Sequence, residues 1–349
     1  MRLSRRALIK MSAASVTAPT LLRMRSAKAA AITLRLHHFL PAKSNVHTRL
    51  LDPWTKKVAE LSGGEVAIEI FPSMQLGGKP QELYDQAKDG VADIVWTLPG
   101  YTPGRFPRTE VFELPFIASN RGIVNAQASQ DYADAHLGEE TKGVKLLSFW
   151  SHDAGVIHCR KKIATLADLN GTKLRFPTRL AGEALKVVGV AAIGMPVPQV
   201  PESLAQGVLD GAVVPWEVVP AIKLQELVKF HTEIPGTPTF YTASFFLAMN
   251  PAKYEGLPED ARKVIDETTG MAFAIEAGKV WDQAGADVEK MVRDKGNTIL
   301  TLSEADKQTW MKASEPVTAA WIEEMKGKGV DATELITTAK SLLAKYEGA

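Results

Sequence analysis

The sequence predicts an α/β protein built from two structural units, and three observations carry that prediction. Runs in which apolar and polar residues alternate recur along the chain, with helical periodicity between them, which is the pattern of strands and helices packed in layers. The chain has 349 residues, 45% of them hydrophobic, and so exceeds what a single hydrophobic core usually serves. No low-complexity run, internal repeat or long linker separates it into beads, so the two units must share strands or helices across their boundary.

The elements follow in order. ITLRLHHF (32–39) and EVAIEIF (65–71) alternate like strands, and 46–61 between them sets Leu50, Leu51, Trp54, Val58 and Leu61 at helical spacing. QELYDQAKDG (81–90) reads as a helix stopped by Gly90, which leads into the strand ADIVWTL (92–98). After a polar, turn-rich middle the pattern restarts with the strands VKLLSFW (144–150) and TKLRF (172–176). The helix LAGEALKVVG (180–189), a short strand within LDGAVVPW (209–216) and the strand TASFFLAMN (242–250) come next. Residues 258–295 have no proline after the first position and predict one long helix crossing both units, although Gly270, Gly278 and Gly285 weaken it. The expected boundaries are 30–153 plus about 240–280 for the first unit, and 154–239 plus about 281–349 for the second.

Residues 1–29 stand apart from the fold. SRRALIK (4–10), a short and weakly apolar run (11–22) and AKA (27–29) form the pattern of a twin-arginine export signal cleaved after Ala29. The apolar run is far below the roughly 20 residues that span a bilayer. These 29 residues hold seven Lys or Arg and no acid, so their removal leaves 34 basic against 40 acidic residues and a formal charge of −6. The expected location is the periplasm. A mildly acidic chain has no broad attraction for nucleic acid or anionic lipid, so an anionic ligand must be drawn by a local site.

The chemistry of turnover is missing from the sequence. Cys159 is the only cysteine, which excludes an intramolecular disulfide and any Cys-based zinc pattern. His37 and His38 are neighbours on a strand and face opposite ways, so they cannot chelate one ion together. His158 beside Cys159 lacks the spacing of a nucleophile and its base. There is no GxSxG elbow, no GxGxxG and no phosphate-cradling lysine loop, since LGGKP (76–80) ends in proline. The pairs Glu139 and Glu140, and Glu323 and Glu324, read as solvated helix faces. No cofactor and no metal is expected.

Arg175 is the residue that a buried strand does not explain. In TKLRFP it alternates with Leu174 and Phe176, and Pro177 ends the strand just beyond it. That places Arg175 near the carboxyl end, where open α/β sheets bind ligands, or alternatively leaves it as a surface residue capping the strand.

Several stretches together resemble the DctP-type substrate-binding proteins of tripartite ATP-independent periplasmic (TRAP) transporters. They are EIFPSMQLGG (69–78), KDGVADI (88–94), PGYTPGRFP (99–107), ELPF (113–116), DLNGTKLRFP (168–177) and GVLDGAVVPW (207–216), and they cover nearly the whole chain after the export signal. The resemblance implies a two-domain periplasmic binding protein of the Venus-flytrap kind, with crossing strands, a long helix spanning both domains and the ligand enclosed between them. It also implies a small organic acid as ligand, the small and large membrane permease subunits as partners, and a monomer. In that family an arginine on the strand after D-L-x-G-x-K clamps the ligand carboxylate, and Arg175 holds that position. A planar guanidinium offers parallel N–H donors that a lysine cannot reproduce.

Two departures from the family pattern make the expected pocket less polar. Where many members carry E-N-P after D-G, with the asparagine touching the ligand, this chain has VVPW, which puts Val214 and Trp216 there. Members that bind sialic acid have a second arginine two residues after a glycine matching Gly155, and here that residue is Ile157. Further candidates lie at strand carboxyl ends: His37, His38 and Phe39, then Trp96, Leu98 and Tyr101, with Phe240, Tyr241 and Arg179 as weaker ones. Aromatic walls suit an aromatic or otherwise apolar monocarboxylate. The rival readings are an exported, hydrolase-like α/β enzyme, and a binding protein that serves a sensor or an ATP-driven importer.

The export signal is directly testable. Replacing Arg5 and Arg6 by lysine keeps the charge but removes the pair that the twin-arginine receptor reads, so fractionation should find precursor in the cytoplasm. Normal periplasmic yield from a strain lacking only the twin-arginine machinery would show that the chain takes the general secretory route.

Overall fold

The computed structural model describes residues 32–348, and the export-signal reading falls outside them. The strands, in chain order, are β1 Ile32–His37, β2 Val66–Phe71, β3 Ile94–Thr97, β4 Lys145–Ser151, β5 Val156–Cys159, β6 Lys173–Phe176, β7 Ala191–Gly194, β8 Gly211–Val214, β9 Phe230–Glu233, β10 Ser244–Met249 and β11 Thr298–Thr301. They form a five-stranded sheet of order β2-β1-β3-β10-β4 and a six-stranded sheet of order β11-β9-β5-β8-β6-β7.

The crossing that the lack of a linker demands is visible in this order. The chain leaves the first sheet after β4, builds most of the second, and returns as β10, which runs antiparallel between β3 and β4. It then crosses again to supply β11 at the edge of the second sheet, parallel to β9. Every residue of β10 is buried, as befits a central strand covered on both faces.

The long helix expected over 258–295 is two helices, Glu259–Thr268 and Met271–Asp294. The break has a physical cause at Gly270, whose φ of 59° suits glycine and no side-chain-bearing residue, and whose N–H donates to Leu147 O of β4 at 2.7 Å. Met271–Asp294 alone spans the molecule. It packs on the helix Gly122–His136 and on β4 of the first unit, and on the turn Trp216–Val218 and β11 of the second.

The polar middle of the sequence hides that helix Gly122–His136. Its sequence, GIVNAQASQDYADAH, has no apolar stripe because small and polar residues are buried on several sides, among them Asn125, Ala126, Ser129 and Gln130. Its first turn is capped from a distance by the Asp282 carboxylate, which accepts from Gly122 N at 2.5 Å and Ile123 N at 3.0 Å. The stretch 46–61 starts as a π-helical turn, Val46–Leu51, before the α-helix Asp52–Leu61. The C-terminal helix Ala332–Glu347, which the sequence boundaries assign with the second unit, lies against Gly122–His136 of the first, where Lys345 Nζ and Tyr346 Oη bond Asp131 at 2.8 and 2.5 Å.

Of the acidic pairs, Glu140 and Glu324 are not solvated faces. Glu140 accepts from Arg108 N at 2.8 Å and burial pushes its carboxyl up to about 7, while Glu324 pairs with Arg179 at 2.8 Å.

The packing of Met271–Asp294 on Gly122–His136 depends on Gly278. A Cβ there would sit 2.6 Å from Ile123 Cα and 2.9 Å from Gly122 O, and backbone cannot yield as a side chain does. Gly278→Ala should therefore cost about 1–3 kcal/mol by overpacking, read as a lower urea midpoint. A midpoint equal to that of the wild type would show that the helices separate freely.

Candidate functional site

Arg175 decides where the site is. Its strand β6 turns Leu174 into the core behind the second sheet and turns Arg175 the other way, into a cavity between the two sheets. The side chain is 1% exposed. Nε donates to Met195 O at 2.8 Å and Nη1 to Val213 O at 3.3 Å, while Nη2 has no protein partner. No ion pair reaches Arg175 among the described residues, so the cation is buried against carbonyls and hydroxyls alone. Burial lowers its pKa from the ordinary value, opposed by the Tyr101 and Tyr241 hydroxyls beside it. Tyr101 Oη accepts from Val197 N at 3.1 Å, and Tyr241 Oη is buried without a partner. Gly155 makes room for Tyr241, since a Cβ there would fall 1.9 Å from its ring.

The cavity is small and lies between the two sheets. Its walls are aromatic. Phe39 stacks on Trp96 at 4.7 Å between ring centroids, Trp96 on Phe245 at 5.3 Å, and Phe245 in turn lies 5.2 Å from Trp281 of the crossing helix. Leu98, Val197, Val214, Pro215 and Ala243 fill the remaining wall. The indole nitrogens of Trp96 and Trp281 have no hydrogen-bond partner among the described residues.

The structure thus brings together Phe39, Trp96, Leu98, Tyr101, Arg175, Val214 and Tyr241 from the sequence candidates, and sets the others elsewhere. His37 faces away from the cavity: Nδ1 meets Gln86 Oε1 at 2.6 Å and Nε2 accepts from Leu76 N at 3.2 Å. His38 is sealed behind Trp96, with Nδ1 accepting from Leu40 N and Nε2 against His47 Nδ1 at 2.9 Å, and burial lowers its pKa to about 3. Trp216 packs on His158 and His231 and donates to Glu233 Oε1 at 2.9 Å. Phe240 stacks on Trp310 at 4.1 Å in the core behind the second sheet, where Ile157 also lies. Arg179 is held by Glu110 and Glu324 outside the cavity.

Several lining residues escape the sequence reading, and the polar or aromatic ones among them are His152, Glu217, Phe245 and Trp281. His152 Nδ1 donates to Asp153 O at 2.6 Å, and burial pulls its pKa down to about 4, so it is a neutral ring with a defined tautomer. Glu217 ties the units together. Its Oε1 accepts from Val46 N at 3.0 Å, its backbone O from Asn45 Nδ2 at 2.8 Å, and burial pushes its carboxyl up to about 7. Asp153, close to it, is pushed well above the carboxylate range by burial and then by the charges of Asp282 and Glu217. The only sequence signal for these residues is their place just past β4 and β8 or on β10 and the crossing helix.

A cavity between two crossed α/β units, with an unpaired cation in its wall, is the architecture of a solute-binding protein. The family model of bacterial extracellular solute-binding protein family 7, DctP, matches residues 36–324, and the chain belongs to that family. A TRAP solute-binding protein from Rhodoferax ferrireducens, solved with copurified benzoate, is 42% identical, with a TM-score of 0.88 over 91% of this chain and 99% of that one. A marine metagenome TRAP solute-binding protein specific for aromatic acid ligands, solved with 3-hydroxybenzoate, is 44% identical, with a TM-score of 0.89 over 91% and 99%. One from Bordetella bronchiseptica, solved with both mandelate enantiomers, is 25% identical at a TM-score of 0.83 over 90% and 99%. The two-domain fold expected from the sequence is the fold of these proteins.

The buried carboxyl of Glu217 makes stability depend on pH. Its folded pKa lies above the unfolded value, so its contribution is complete at low pH and is lost as pH rises through about 7. Glu217→Gln keeps the acceptor for Val46 N but cannot ionise. In urea titrations without ligand the variant should gain on the wild type by up to about 3 kcal/mol at pH 8, and the gap should narrow as pH falls and close near pH 4. A pH-independent difference would mean that Glu217 does not titrate in the folded protein.

Proposed function

We propose that this chain captures an aromatic monocarboxylate between its two domains in the periplasm, closes around it, and delivers it to the small and large membrane subunits of a TRAP-type permease. The observation that carries the reading is Arg175, a cation 1% exposed with one free N–H edge and no protein carboxylate, set in an aromatic cavity. A buried guanidinium without a counter-ion is stabilised by a ligand carboxylate, and Tyr241 Oη beside it is a further donor for the same group. Benzoate, 3-hydroxybenzoate and mandelate in the three related structures support an aromatic acid over a sugar acid.

Closure is a population shift. The first unit supplies Phe39, Trp96 and Tyr101 and the second Arg175 and Val214, so a ligand touching both favours the closed arrangement by its differential contacts. The moving bodies in this reading are 30–153 plus about 240–280 and 154–239 plus about 281–331, with the C-terminal helix riding on the first. The protein reaches the periplasm through the twin-arginine route, acts as a monomer, and catalyses nothing. Membership of a solute-binding family supports this over the hydrolase-like alternative.

Two substitutions test the reading by calorimetry with benzoate as the probe. Arg175→Ala should remove detectable binding, because truncating one member of a buried charge pair costs about 2–5 kcal/mol, and Arg175→Lys should restore little of it. Val214→Asn adds a polar group that an apolar ring cannot satisfy and should weaken binding by about 1–3 kcal/mol. Less than a threefold loss in Arg175→Ala removes the clamp, and a wild-type preference for polyhydroxylated sugar acids removes the aromatic ligand.

A further inference from the structure

The residues that line the cavity carry spare donors and spare acceptors. Arg175, the Tyr101 and Tyr241 hydroxyls and the indole N–H groups of Trp96 and Trp281 are donors. The acceptors are His152 and Glu217. Since Nδ1 of neutral His152 carries the proton given to Asp153 O, its Nε2 is a bare lone pair, and no protein donor meets it among the described residues. Glu217 uses Oε1 for Val46 N, and its Oε2 likewise takes no hydrogen bond from the described residues, although the residue is only 2% exposed.

The Arg175 guanidinium and the Glu217 carboxyl lie apart, while the His152 ring sits edge-on to that of Tyr241 at 5.4 Å between centroids. Arg175 and Glu217 line one cavity and yet form no ion pair; the groups acting on Arg175 are Tyr101 and Tyr241, whereas those around Glu217 are Val46 N, Arg49 and Asp153. A carboxylate answers the donors and leaves the acceptors unsatisfied. Buried acceptors without a donor are costly, so a ligand that ends in plain hydrocarbon at that side wastes part of its binding.

We propose that the natural ligand is a hydroxylated aromatic acid, and that Glu217 Oε2 and His152 Nε2 form the subsite that receives its ring hydroxyl while Arg175 holds its carboxylate. This deepens the aromatic-acid reading and rests on it. Glu217 and His152 are then specificity-determining residues. The link between Glu217 and Asn45–Val46 gives the subsite a second consequence: the hydroxyl is read by a side chain that also joins the two units, so recognition of the substituent and closure share one group.

The test compares affinities for benzoate, 3- and 4-hydroxybenzoate, 3-hydroxyphenylacetate and the matching methoxy acids, measured by calorimetry on the whole mature protein. A methyl ether keeps the size and the oxygen but has no proton to donate. The wild type should favour at least one hydroxy acid over both benzoate and its methoxy partner by about 10- to 100-fold, the range for a hydrogen bond to a charged group. That preference should grow from pH 6 to pH 8 as Glu217 ionises, with His152 neutral throughout. Glu217→Gln, which exchanges an acceptor for a donor, should erase the pH dependence and narrow the hydroxy-to-methoxy ratio; His152→Phe should narrow the ratio without touching the pH dependence. Should these variants fail to fold, the ligand series on the wild type decides alone. Benzoate or methoxy acids binding as tightly as every hydroxy acid overturns the subsite and leaves the aromatic-acid reading standing, whereas no binding of any aromatic acid overturns that reading itself.

Discussion

A single buried cation organises this molecule. Arg175 sits at the end of β6 with two of its donors on carbonyl oxygens and none on a carboxylate. Carbonyl dipoles and nearby hydroxyls hold a guanidinium in place, but they do not neutralise it, and a charge removed from water without a counter-ion is costly. The fold tolerates that cost because the surrounding shell is rigid. Tyr101 from the first unit bonds Val197 of the second within reach of Arg175, and Gly155 lets Tyr241 close over it. In the proposed reading the charge of a ligand supplies what the protein leaves out.

The rest of the architecture serves to bring the two units against that cation. Sharing of β10 and β11 between the units and the passage of Met271–Asp294 across both make them parts of one framework. The helix carries Trp281 into the cavity wall and Asp282 to the head of Gly122–His136, so one turn of helix serves both cavity wall and helix cap. Further along it, Asp287 pairs with Arg49 of the first unit at 2.6 Å, an exposed pair that contributes little to stability. The aromatic ladder from Phe39 through Trp96 and Phe245 to Trp281 is continuous with the main core, so the cavity wall is held by packing.

Much of this was legible in the sequence because alternation exposes an out-of-place residue. Arg175 stands in a strand whose period is plain, Trp96 ends an apolar one, and a charge or a large ring at a strand's carboxyl end points to the region where α/β sheets bind ligands. The same logic misplaces His37 and His38. They stand at the right end of β1, but the loop that carries Leu76 and the residues Gln86 and His47 enclose them, and only the tertiary path of the chain sets those partners there. His152, Glu217, Phe245 and Trp281 enter the cavity through crossings between sheets, which leave no periodic mark. Gly122–His136 was hidden for a related reason: a helix buried on several sides by small residues has no stripe to read.

Arg179 shows why the cavity suits one negative charge. By sequence it is a second cation four residues beyond Arg175, and two cations would invite a dicarboxylate. In the fold its guanidinium is engaged by Glu110, with Nε to Oε1 at 2.6 Å, and by Glu324 at 2.8 Å, while Trp321 donates to the other Glu110 oxygen at 3.0 Å. Its charge is matched before any ligand arrives, and its pKa is raised by the same carboxylates. Among the described residues lining the cavity, Arg175 is then the one cation and Glu217 the one carboxylic acid, with Asp153 close to it. A second ligand carboxylate would have to lie beside the buried Glu217 carboxyl with no cation in the cavity wall to answer it, and burying a charge in that way is costly. A monoanion with an apolar ring meets the one free cation, the aromatic walls and the acid end together.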